Sequence, residues 1–223
     1  MLSVLFVCTG NICRSPVAEA LLQSRAGELG LPISVRSAGS WAHRGNPATS
    51  NAIRAARELG VEIEGHRARP LDDHLIRDAD LVLALAREHR DEILYLVSEA
   101  APKTFTLKEL AALLEALLPS PVHADRGTAV TRIAEADRLR ASASGPLIRD
   151  PDVRDPIGSA LFAYRDVAWD IQTAIDSVLI GLFGGSGGVA GPERSSAEKS
   201  GQRTPRSERD RRGAARAASS GEG

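Results

Sequence analysis

Leu2-Ser3-Val4-Leu5-Phe6-Val7-Cys8-Thr9-Gly10-Asn11-Ile12-Cys13-Arg14-Ser15-Pro16 is the stretch that decides the fold. Leu2–Val7 is a short apolar run without alternation, the pattern of a strand buried on both faces. Ser15-Pro16 reads as a helix start, Ser at the N-cap and Pro at the first helical position, where no N–H is needed. Val17, Ala18, Leu21, Leu22 and Leu29 then share one helical face. Between strand and helix, the backbone amides and the positive end of the helix dipole converge on one spot, which suits an anion. Gly10 and Asn11 can take the left-handed backbone that such a cradle requires. Arg14 adds a planar fork for two oxygens of a phosphate-like dianion. The same electropositive cradle favours the thiolate of a cysteine at its base, where Cys8 stands. A thiolate beside a bound tetrahedral anion is equipped for attack at phosphorus.

Outward from this loop, strand and helix patterns alternate. Ile33–Ser37, Asp80–Leu85 and Lys103–Thr106 are predicted strands; Pro47–Leu59 and Glu88–Val97 are predicted helices. Leu107–Leu118 is helical up to Pro119, and Thr128–Ala141 forms another helical patch. Leu161, Tyr164, Ala168, Ile171, Ile175, Val178 and Leu182 recur at helical spacing and mark a long final helix. The expected architecture is α/β: a doubly wound, four-stranded parallel sheet with helices on both faces. Ligands of such sheets sit beyond the carboxyl ends of the strands, which returns attention to the loop after the first one.

Composition narrows the function classes. The chain has 223 residues and a formal net charge of −1, which argues against a protein that coats nucleic acid or anionic membrane. Cys8 and Cys13 are its two cysteines, too few for a disulfide scaffold or a four-ligand zinc site. The runs Val4–Val7 and Val178–Phe183 are far too short to span a bilayer, and Met-Leu-Ser-Val-Leu-Phe-Val lacks the marks of a secretion signal. A soluble, cytoplasmic chain is expected. From Gly184 the composition turns to Gly, Ser, Ala, Pro and charge, with Val189 the one large apolar residue. That segment, 184–223, is read as a disordered tail carrying eight basic and five acidic residues, net +3, which leaves −4 on residues 1–183. A solvated tail and one with weak affinity for an anionic partner both fit.

Cys8-Thr9-Gly10-Asn11-Ile12-Cys13-Arg14-Ser15-Pro16 resembles the signature of the low-molecular-weight protein tyrosine phosphatases. The resemblance runs from residue 2 to about Leu110 and resumes from about Asp152 to Leu182. It takes in Ser37-Ala38-Gly39-Ser40, Gly45-Asn46-Pro47, Leu59-Gly60-Val61, His66-Arg67-Ala68-Arg69 and Asp80-Leu81-Val82-Leu83. It implies a flavodoxin-like catalytic domain over 1–183, with an insertion at about 111–150 outside the likeness. It also implies a two-step, metal-independent phosphomonoesterase without cofactor. Cys8 would attack phosphorus and form a phosphocysteine. Arg14 and the amides of the loop, Thr9, Gly10, Asn11, Ile12 and Cys13 among its residues, would hold the phosphoryl oxygens, and the Ser15 hydroxyl would stabilise the thiolate. By the same likeness Ser37 and His66 would fix Asn11, and Trp41 would form an aromatic wall for the substrate.

The leaving oxygen needs a proton. Arg149-Asp150-Pro151-Asp152-Val153-Arg154-Asp155-Pro156-Ile157-Gly158 offers three carboxyls, and Asp155 matches the family's Asp-Pro loop before the last helix. Where eukaryotic members often carry two tyrosines after Asp-Pro, Ile157 and Gly158 stand here. Arsenate reductases share the fold but need cysteines farther along the chain, and none follows Cys13. Arginine phosphatases tend to place Thr where Ile12 stands; Ile12 suits an aromatic ring, so a phosphotyrosine-containing protein is the expected substrate. Arginine phosphatase and a non-catalytic phosphate-binding or redox-sensing module, with a reversible Cys8–Cys13 disulfide, are the alternatives.

Overall fold

β1 (Leu2–Cys8) lies inside a four-stranded sheet ordered β2-β1-β3-β4, all parallel, with β2 at Ile33–Gly39, β3 at Leu81–Ala84 and β4 at Thr104–Thr106. Val4 pairs with Val35 on one side and Leu81 on the other. The computed structural model describes residues 1–117, 119–120, 125–143 and 145–184. The tail expectation beyond Gly184 therefore lies outside the described residues.

The side-chain period of two sends β1 into two cores. Val4, Phe6 and Cys8 pack with α1 (Arg14–Glu28), α5 (Leu107–Ala116), α6 (Arg126–Ala141) and α7 (Leu161–Phe183). α2 (Ser50–Glu58) joins the same side through Ala52, Ala55 and Ala56. Leu5 and Val7 face a smaller cluster with Ile76 of α3 (Asp73–Asp78), Ile93 of α4 (Arg87–Leu96) and Ala100 in the 3-10 turn Ser98–Lys103. A strand covered on both faces needs an unbroken apolar run, which Leu2–Val7 supplies.

Boundaries follow the caps. α2 begins at Ser50 rather than at Pro47 because Thr49 caps it, accepting from Ala52 N–H at 3.3 Å. Asp72 and Asp125 cap α3 and α6, and Thr106 with Glu109 forms a capping box on α5. The short α3 escapes the sequence pattern, since six residues give less than two turns of periodicity. Ser15 is not the cap of α1: the helix starts at Arg14, Cys13 holds the cap position without a side-chain capping bond, and Pro16 is the third helical residue. Pro16 is tolerated because the first four helical N–H groups have no intrahelical acceptor.

α6 is tied to the sheet at both ends. Arg126 reaches Asp80 at 2.6 Å, and the same carboxylate accepts from Ser3 N–H. Arg140 donates to the carbonyls of Thr104 (2.8 Å) and Ala101 (2.9 Å) and lies 4.2 Å over the Phe105 ring. α5 and α7 approach so closely that a Cβ on Gly181 would lie 2.5 Å from Leu114 Cβ. Among the described residues no helix is long and apolar enough to cross a membrane.

Ile133, Ala129 and Ala136 present the buried face of α6. Ile133→Ala should destabilise the protein by about 2–5 kcal/mol in urea unfolding, the cost of lost burial plus a cavity; a loss below about 1 kcal/mol would mean that α6 is no part of the core.

Candidate active site

β1, β2 and β3 end at Cys8, Gly39 and Ala84, and their carboxyl ends bring three loops together. The loop from Cys8 to Arg14 curls because Asn11 holds φ at 52°, in the left-handed region. Gly10, the other candidate for that conformation, does not adopt it. Asn11 is buried, and its side chain is fully engaged: Nδ2 donates to Ser15 Oγ (2.9 Å) and Ser37 Oγ (2.8 Å), and Oδ1 accepts from Arg69 N–H (2.9 Å). His66 supports the same residue through the main chain, Nε2–H donating to Asn11 O at 2.7 Å. Burial pushes the His66 pKa down, which keeps the ring a neutral donor. Ser37 in turn donates to Glu19.

The loop carbonyls are turned outward. Cys8 O accepts from Ser40 N–H (3.0 Å), Thr9 O from Trp41 N–H (2.9 Å) and Ile12 O from Thr49 N–H (2.9 Å), while Asn11 O is held by His66. In a trans peptide the N–H points opposite to the C=O. The amides of Thr9, Gly10, Ile12 and Cys13 therefore face the inner side of the curl, the arrangement of an anion-binding nest. Ile12 is half-buried and packs on the larger core.

Cys8 and Cys13 are both free and buried. Cys8 Sγ lies 2.9 Å from Ser15 Oγ. Ser15 Oγ accepts from Asn11, so its one proton is left for Cys8 Sγ or, at 3.4 Å, Ala38 O. The nearer sulfur is the better acceptor once it is a thiolate. This explains why Ser15 does not cap α1: its hydroxyl is used at the site. Cys13 Sγ contacts Thr49 Oγ1 (3.4 Å) and Tyr164 Oη (3.8 Å), and burial raises its pKa, so it rests as a thiol.

Arg14 is 3% exposed. Its Nη1 donates to Val153 O (3.2 Å), and its Nη2 donates to Thr9 Oγ1 (3.2 Å) and Asp155 Oδ2 (2.7 Å). Nε is buried and has no hydrogen-bond partner among the described residues. A buried N–H without an acceptor is rare in folded proteins and marks a place where a ligand oxygen belongs. Of the three carboxyls in the Asp-Pro segment, Asp155 reaches Arg14, Asp152 pairs with Arg87 (2.9 Å) and Asp150 is an exposed partner of Lys108 (3.2 Å). Val153 N–H on Leu85 O (2.7 Å) holds this segment against the end of β3. A cleft of about 570 Å³, lined by Arg14, Arg87, Asp152 and Asp155 among others, opens beside the loop. Trp41 is 74% exposed, and its indole N–H donates to Glu92 Oε1 (2.9 Å).

Three contributors escape the sequence reading: His89, 2.9 Å from Thr9 Oγ1; Glu19 behind Ser37; and Glu92 beside Trp41. For His89 a signal existed, since it follows the carboxyl end of β3, the strand adjacent to β1. Glu19 and Glu92 lie in helices with ordinary polar positions, and nothing in their spacing sets them apart.

The geometry agrees with comparison to known proteins. Residues 3–135 match the family model described as low molecular weight phosphotyrosine protein phosphatase. A protein-arginine-phosphatase of Bacillus subtilis is 44% identical over 108 residues, 48% of this chain and 71% of its own. A probable low molecular weight protein-tyrosine-phosphatase, EpsP, of Ralstonia solanacearum is 38% identical over 176 residues, 78% of this chain and 92% of its own. The solved structure of the low molecular weight protein tyrosine phosphatase from T. tengcongensis superposes with a TM-score of 0.61 at 32% identity, covering 80% of this chain and 98% of that one. The chain belongs to the low molecular weight phosphotyrosine protein phosphatase family.

Gly39 lets the curl form. A Cβ there would lie 2.5 Å from Thr9 O and 2.8 Å from Asn11 N, both backbone atoms that cannot yield cheaply. Gly39→Ala should lower kcat/KM for p-nitrophenyl phosphate by about tenfold or more while leaving the far-UV circular dichroism intact. Full activity would show that the loop tolerates the displacement.

Proposed function

We propose that the protein hydrolyses phosphotyrosine in protein substrates through a phosphocysteine on Cys8. The observation that carries this reading is the joint placement of Cys8 Sγ beside Ser15 Oγ and of a buried Arg14 whose Nε has no acceptor among the described residues. In the first step the Cys8 thiolate attacks phosphorus in line, the S–P bond forms and the bond to the aryl oxygen breaks. Arg14 and the inward amides hold the three equatorial oxygens, whose charge they match. Asp155, held at the rim by Arg14 as a carboxylate until a phosphoryl group takes its place, then takes up a proton from solvent and passes it to the departing oxygen. In the second step the Asp155 carboxylate takes a proton from water, the water oxygen bonds to phosphorus and the S–P bond breaks. Ser15 stabilises the thiolate that leaves, and Asn11, Ser37 and His66 keep the curl in shape.

Ile12, apolar and half-buried at the loop, and the exposed ring of Trp41 support an aromatic substrate. Arginine phosphatase is the second reading, supported by the likeness to the Bacillus subtilis protein of that name. Initial rates on phosphotyrosine and phosphoarginine peptides of one sequence discriminate the two; faster phosphoarginine turnover would replace the first reading by the second.

Cys8→Ser should abolish turnover of aryl phosphates. Asp155→Asn should reduce kcat for phenyl phosphate by about 10²–10³ and for p-nitrophenyl phosphate far less, because a good leaving group needs no proton. Equal losses on both would show that Asp155 does not protonate the leaving group.

A further inference from the structure

Thr9 Oγ1 is shared by two buried cationic or polar partners, and the mechanism above uses neither contact. Arg14 Nη2 donates to it at 3.2 Å, and His89 Nε2 lies 2.9 Å away on the opposite element, α4. His89 is 1% exposed, and its Nδ1 is buried with no hydrogen-bond partner among the described residues. That pattern selects a tautomer. A proton on Nδ1 would bury an N–H with no acceptor, whereas a bare Nδ1 leaves only an unused lone pair, the cheaper defect. The proton therefore sits on Nε2, which donates to Thr9 Oγ1 and has Glu88 Oε1 as a second, longer acceptor at 3.3 Å. Both lone pairs of the Thr9 oxygen are then filled, one by His89 and one by Arg14.

Resting on the phosphatase reading, we propose that His89 is a positioning residue for Arg14, acting through the Thr9 hydroxyl. The need for it follows from Asp155. In the free site Arg14 Nη2 has two acceptors, Asp155 Oδ2 at 2.7 Å and Thr9 Oγ1. When the Asp155 carboxyl turns to the leaving oxygen, Thr9 is the side-chain acceptor that stays. A threonine hydroxyl free to rotate could present its proton to the guanidinium instead of a lone pair; the His89 N–H fixes the rotor so that it cannot. Arg14 then keeps its plane through both chemical steps, with Nη1 on Val153 O and Nε toward the phosphoryl oxygens. Burial, with the Arg14 charge adding to it, pushes the His89 pKa down to about 4, so the ring brings a donor without a second positive charge.

The test is a double-mutant cycle on the full chain with p-nitrophenyl phosphate as substrate and inorganic phosphate as competitive inhibitor. Thr9→Val and His89→Leu should each lower kcat by about tenfold to a hundredfold and raise the phosphate inhibition constant. The double variant should be no worse than Thr9→Val alone, because both changes remove one relay. His89→Gln, which can present an N–H near the Nε2 position, should recover most of the kcat lost in His89→Leu. Nitrogen NMR of the wild type near neutral pH should show the Nε2-protonated neutral ring. Losses that multiply in the double variant, an unchanged kcat in Thr9→Val, or an Nδ1-protonated ring would overturn the proposal. Should His89→Leu fail to fold, Thr9→Val and His89→Gln still decide it. A wild type without Cys8-dependent turnover would overturn the parent reading and this one together, whereas normal turnover with an unaffected Thr9→Val overturns the positioning role alone.

Discussion

The left-handed backbone of Asn11 is the constraint on which the rest of the site depends. Such a conformation costs a non-glycine residue on the order of 1 kcal/mol and persists only where its surroundings over-determine it. Here they do: Ser15, Ser37 and Arg69 take every polar atom of the side chain, and His66 takes the carbonyl. The turn at Asn11 sets the carbonyls outward and the amides inward, and it brings Ser15 under Cys8. Glycine at position 11 would reach the same φ without those bonds and would take one donor each from Ser15 and Ser37. The side chain therefore does more than permit the turn; it connects the curl to β2 through Ser37 and to the segment after His66.

Electrostatics then follow from burial. Arg14 is almost wholly removed from water, and its guanidinium keeps protein acceptors for two nitrogens while Nε has none among the described residues. A buried unpaired charge is expensive, and the Asp155 carboxylate stands on it. In the proposed reaction a phosphoryl dianion replaces that carboxylate and releases Asp155 toward the leaving group while Arg14 stays in place.

Much of this was legible in the sequence, for identifiable reasons. The run Leu2–Val7 is apolar because both faces of β1 are covered, and the seven-residue pattern of α7 is strong because the helix is long and packs along its length. Cys8, Arg14 and the Asp-Pro segment were readable because their chemistry is local to short motifs. Ser15 was misread as a cap because a serine before Pro16 has the propensity for it, and only the tertiary contact with Cys8 redirects the hydroxyl. His89 carries only a positional signal, just past the carboxyl end of β3: it lies 80 positions from Thr9, and the pairing exists only once β3 is beside β1. α3 and the start of α2 were missed or misplaced because caps at Asp72 and Thr49, rather than periodicity, define them.

The most direct measurement of the central claim is rapid acid quench of the wild-type protein during turnover of an aryl phosphate, followed by peptide mapping. One phosphoryl group is expected on the peptide that contains Cys8, bound through sulfur, and no sulfur-bound phosphoryl group in Cys8→Ser. Turnover with no phosphorylated cysteine, or a phosphoryl group on another residue, would contradict it.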